Sequence, residues 1–94
     1  MRKETLKLVL TRLQPYRDMA EGFLLILDEC NEEDEKLIND LYNDIIQNIK
    51  DIDSKEQLQK ISNELKIIKE RELIEDWKDK RDIEDLENLI SNLD

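Results

Sequence analysis

The sequence predicts an all-α protein, a small antiparallel helical bundle, on three observations. Apolar residues recur at alternating steps of three and four along most of the 94 residues, the spacing of one helix face. Glycine and proline, the residues that punctuate helices and shape turns, occur once each. No stretch shows the period-two alternation of a half-buried strand. The expected arrangement is three long helices and a shorter fourth near the C-terminus, in a single domain over residues 1–94. Charged residues make up 43% of the chain, a level that suits disordered segments, but 15 Leu and 12 Ile at helical spacing supply a core. A chain this long buries roughly two thirds of its unfolded surface, enough for modest independent stability.

The first element carries Leu6, Val9, Leu13, Tyr16, Ala20, Phe23, Leu27 and Cys30 on one heptad seam. Pro15 sits inside it, and an interior proline costs about 3 kcal/mol. The apolar phase nevertheless continues past it. Two readings follow: one helix over residues 3–30 kinked at Pro15, or two helices with Pro15 at the first position of the second.

Asn31 is the expected N-cap of the next helix, about residues 32–50, with acidic residues in its first turn. It is the clearest helix in the chain, with a wide apolar face of Leu37, Ile38, Leu41, Tyr42, Ile45, Ile46 and Ile49 followed by Ile52. Ser54 followed by Gln57 fits a capping box for the third helix, whose seam is Leu58, Ile61, Leu65 and Ile68.

Beyond Lys69 the phase slips, and Leu73, Ile74 and Trp77 continue on another line. Residues 78–82 are wholly polar and read as a hinge, with Asp82 capping a final helix of Ile83, Leu86, Leu89, Ile90 and Leu93. In the heptad frame of the third helix, Glu72, Glu75, Asp79 and Asp82 fall on the seam. Four carboxylates in a dry seam are untenable, which is the argument for a break there. The expected core of the first three helices is Leu6, Val9, Leu13, Phe23, Leu27, Leu41, Ile45, Ile49, Ile61, Leu65 and Ile68.

Charge divides the chain. The formal net charge is -10, yet residues 1–20 set Arg2, Lys3, Lys7, Arg12 and Arg17 against Glu4 and Asp18 alone. The acidic bulk repels nucleic acid and anionic lipid, so neither is an expected partner. The basic start is too dilute for a membrane-lying helix and is explained as well by packing on the acidic remainder. No segment has the length of a membrane span, and the apolar start is interrupted by Lys7 and Arg12 where a signal peptide needs its apolar core. The lone Cys30 suits a reducing compartment, which makes the cytoplasm the expected location.

Catalytic raw material is scarce. There is no histidine, the commonest general base and metal ligand. A single glycine rules out a phosphate-cradling loop. Carboxylate pairs at i,i+3, namely Glu32/Glu35, Glu72/Glu75 and Glu84/Glu87, share helix faces, but a chain this acidic produces such pairs as solvated surface. Asp51 and Asp53 open like a Ca²⁺ loop, which then fails at Glu56, where glycine is needed, and at Ser62, where a chelating Glu belongs. Cys30 has neither a base nor an electropositive setting to make it a nucleophile, and it lies on the seam as a small core residue. No enzyme activity, metal or cofactor is expected.

What remains is protein recognition. The run Phe23-Leu24-Leu25-Ile26-Leu27 covers most of a helix circumference, which demands either central burial or a second chain. Trp77, the only tryptophan, either caps the open end of the core or anchors a partner. The expected interaction residues are Leu25, Trp77 and the final stripe Leu86, Leu89, Ile90 and Leu93, because a helix after a polar hinge is placed to dock on a partner or swap between chains. The function expected is that of a small acidic helical interaction module that self-associates. The rival is an acidic inhibitor or immunity-type protein that binds a basic protein.

Overall fold

In the computed structural model Pro15 ends the first helix instead of bending it. The structure describes residues 1–72 and 74–93. Its five helices are α1 (Lys3–Leu13), α2 (Met19–Glu29), α3 (Glu35–Lys50), α4 (Lys55–Arg71) and α5 (Trp77–Leu93). Among the described residues there is no strand.

The kinked single helix is overturned; of the alternative, the two helices stand, but Pro15 lies between them and not at the first position of the second. A proline lacks the N–H for the i−4 bond, and its ring crowds both that carbonyl and the residue before it. The helix therefore stops at Leu13, and Pro15 lies in the turn, four residues before α2 begins. The turn is tight. The Tyr16 and Arg17 amides both donate to the Leu13 carbonyl, at 2.9 and 3.0 Å, and the Ala20 amide donates to that of Arg17 at 3.1 Å. This explains why the apolar phase survives: Leu13 and Ala20 both face the interior although the helix between them is broken.

The remaining boundaries follow local chemistry. Asp34, not Asn31, caps α3, its Oδ1 accepting from the Leu37 amide at 3.2 Å. Ser54 caps α4 as the sequence indicates, its hydroxyl accepting from the Gln57 amide at 3.2 Å. Gln57 does not complete the capping box. Its side-chain amide donates instead to the Tyr16 carbonyl, which ties the start of α4 to the α1–α2 turn.

The polar stretch 78–82 is no hinge, and Asp82 is no cap: these residues lie inside α5. The break comes earlier, where Glu72 closes α4 through its amide to the Ile68 carbonyl. Asp76 then opens α5, its Oδ1 accepting from the Lys78 and Asp79 amides at 2.9 and 3.3 Å. Leu73 lies outside the described residues. The expected three long helices and one short one thus become two of 11 residues followed by three of 16 or 17.

One core joins all five helices. α1 is central and packs on α2, α3 and α4, while α5 packs on α3 and α4. Leu6, Val9, Leu10 and Leu13 are fully enclosed, as are Ile45, Ile49, Ile61, Leu65, Ile68 and Ile83. The radius of gyration, 12.4 Å, is that of a close-packed chain of this length. Of the expected core residues only Phe23 is partly open, because α2 lies at the periphery and buries just Ala20 and Leu27. The all-round apolar run is therefore not a sign of central burial.

Gly22 sits on the open side of α2 with helical backbone, and a Cβ placed there meets no atom within 4 Å. Gly22→Ala is expected to stabilise the fold by about 0.5–1 kcal/mol through helix propensity alone. The check is the urea midpoint, which should rise at unchanged m-value.

Candidate functional site

Asp79 is the electrostatic centre of the molecule. It lies in the first turn of α5, where the helix dipole favours an anion, and it is 1% exposed. Its Oδ1 accepts from the Arg2 amide at 3.0 Å, and its Oδ2 accepts from Arg2 Nε at 3.0 Å and from the Thr5 hydroxyl at 2.7 Å. The Met1 nitrogen lies 4.0 Å from Asp79 and 3.1 Å from Asp82. Burial pushes the Asp79 carboxyl pKa upward, but the hydrogen bonds from Thr5 and Arg2 and the nearby positive charge outweigh it, and the pKa falls below the ordinary carboxylate value. The same hydrogen bond to Asp79 raises the pKa of Arg2. Further along α5 the Tyr42 hydroxyl donates to the Asp82 carbonyl at 3.1 Å, and burial, then the charges of Asp82 and Asp85, raise its pKa.

The four seam carboxylates separate accordingly. Asp79 alone is buried, Asp82 meets the Met1 nitrogen, Glu72 reaches Arg12 at 3.8 Å and Glu75 is exposed. The five cations of residues 1–20 are all engaged within the chain. Lys7 pairs with Asp28 and Arg12 with Glu64, while Lys3 and Arg17 donate to backbone or amide oxygens. The basic start packs on its own acidic remainder.

Beside Asp79 a cleft of about 500 Å³ opens between the starts of α1, α3 and α5. Its rim carries Glu4, Glu32, Glu35 and Asp76 around Arg2 and Lys78. Among the described residues no three Cys, Asp or Glu side chains converge as metal ligands. Cys30 is half-buried against the core. No described helix is long and apolar enough to cross a membrane.

The expected interaction residues divide into two groups. Leu86 and Ile90 are buried in the chain's own core and Leu89 packs against it, so the final stripe is spent at home; Leu93, at its end, is 39% exposed. The reason is the continuous α5, which holds this stripe against α3 and α4 instead of releasing it after a hinge. Leu25 and Trp77, by contrast, are 65% and 70% exposed. Trp77 does not cap the core, since it stands largely in solvent while nearby Ile74 is buried.

Ile26, absent from the sequence candidates, joins Leu25 at 44% exposure. The outer face of α2 reads Asp18, Glu21, Gly22, Leu25, Ile26 and Glu29, all exposed and spaced i, i+3, i+4. It is an apolar centre with an acidic border, on a helix that holds no lysine or arginine. Comparison with protein-family models, curated proteins and solved structures finds no match to this chain.

Asp79→Asn should cost about 1–3 kcal/mol at neutral pH, because the buried acceptor of three donors loses its charge. Folding lowers this pKa, so the stabilisation is complete above the unfolded carboxylate value and is lost as the pH falls through the lower, folded value. The gap between wild type and variant, followed by urea unfolding from neutral pH into acid, is expected to close below the ordinary carboxylate range.

Proposed function

We propose that this chain is a protein–protein interaction module that acts by binding and not by catalysis, and that it associates with itself through the outer face of α2. The observation that carries this reading is the pair Leu25 and Ile26, held exposed on a rigid helix with Gly22 one turn before them. Folding has enough apolar residues to fill the core without them, and two adjacent apolar side chains left exposed on one helix face offer a partner a place to dock. The enclosed polar groups support the same conclusion. Asp79, the buried anion with a shifted pKa, accepts three hydrogen bonds from Arg2 and Thr5, an arrangement that builds structure.

A second reading is favoured by one feature, the acidic border of the α2 face. Asp18, Glu21 and Glu29 surround the apolar pair, as they would in an acidic inhibitor of a basic protein.

Absolute mass in solution, measured by light scattering behind a sizing column over a range of concentrations, separates the two. Wild type is expected as a dimer or larger, and Leu25→Glu as a monomer with unchanged helical circular dichroism. A wild type that stays monomeric at every concentration overturns self-association and leaves the α2 face to a basic partner.

A further inference from the structure

The first turn of α5 presents a surface opposite in character to α2. Trp77 stands exposed, and Lys80 and Arg81, three and four residues on, share its helix face. Lys78 is exposed beside them. Asp79, the anion within this run, is turned inward and held by Arg2 and Thr5. Among the described residues no ion pair engages Lys78, Lys80 or Arg81. A protein of net charge -10 therefore carries one tryptophan with a group of free cations, and separately one apolar pair bordered by free anions.

These two surfaces leave each other uncovered within one chain, since Leu25 and Trp77 are both exposed. Two α2 faces brought together by a twofold axis would set Glu21 and Glu29 against acidic residues of their own kind. Two α5 turns so paired would leave both acidic α2 faces uncovered, with Lys80 and Arg81 meeting only each other or Glu84 and Asp85 of the next turn. Like charges across an interface cost affinity, whereas one α2 face against one α5 turn pairs opposite charges and apolar with aromatic surface. Gly22 adds shape to charge. It has no side chain, and the space over it is open, which leaves a notch beside Leu25 for a flat ring.

We propose that the Trp77 face of one copy of this chain docks head to tail on the Gly22–Leu25–Ile26 face of a second copy, with Lys80 and Arg81 meeting the acidic border of α2. The proposal rests on the self-association reading and specifies its geometry. Each copy offers one face of each kind, so the contact is heterologous and continues from copy to copy into a ring or an open chain.

The test uses two surface variants of the whole chain, Leu25→Glu and Trp77→Ala, each verified as folded by circular dichroism and examined by sedimentation velocity. Each variant alone is expected to be monomeric where wild type assembles, with Trp77→Ala weakening association by about 30-fold or more. Mixed in equal amounts they should form a heterodimer and nothing larger, because Leu25→Glu keeps its α5 face and Trp77→Ala keeps its α2 face. Raising salt from about 0.05 to 0.5 M should weaken wild-type association by about tenfold. A mixture that remains monomeric, a Trp77→Ala variant that assembles like wild type, or an association insensitive to salt overturns the head-to-tail contact while leaving self-association in place. A wild type monomeric at all concentrations overturns both.

Discussion

The contact of Asp79 with Arg2 and Thr5 joins the two ends of the described chain, and much of the molecule's architecture depends on it. A carboxylate that is 1% exposed is tolerable only when it is hydrogen-bonded, and three donors from Arg2 and Thr5 bond it. The contact spans 74 to 77 residues of sequence. It brings α5 alongside the start of α1, and the stripe of Ile83, Leu86 and Ile90 is enclosed as α5 continues over α3 and α4. An α5 placed in this way has no freedom to swing out, so the apolar C-terminal residues complete this chain's core.

That one constraint also shapes the surface. The N-terminal cations are drawn into the chain: Arg2 by Asp79, Lys7 by Asp28 and Arg12 by Glu64 and Glu72. Exposed pairs of this kind contribute little stability singly, but they decide which charges stay available. With Asp79 turned inward, Lys78, Lys80 and Arg81 make no ion pair among the described residues and face solvent. On α2, Asp28 is matched by Lys7, and the acidic residues bordering Leu25 and Ile26 are left to define the outer face. The charge pattern of the surface is what remains after the interior has taken its share.

The candidate site was partly legible. Leu25 and Trp77 stand out in the sequence because one lies off the main seam and the other lies where the phase breaks, and both are exposed. Ile26 was missed since periodicity alone does not say which side of an apolar helix meets its neighbour. Leu86 and Ile90 look available to a partner only if residues 78–82 form a hinge, and the continuous α5 buries both. Asp79 left a signal that was read the wrong way. A carboxylate on a seam position argues for a break only if no partner reaches it, and Arg2 and Thr5 do.

The sequence by itself determined the helical class, most of the core and the cap at Ser54, because these depend on spacing, side-chain volume and hydrogen bonds a few residues long. Proline's missing donor likewise dictates an interruption near residue 15. Only the tertiary structure decided that the interruption is complete, that α2 lies at the edge, and that α5 runs unbroken through its polar stretch. Those outcomes turn on contacts between residues distant in sequence, above all a donor set at one end of the chain meeting a carboxylate near the other, and no local pattern encodes that meeting.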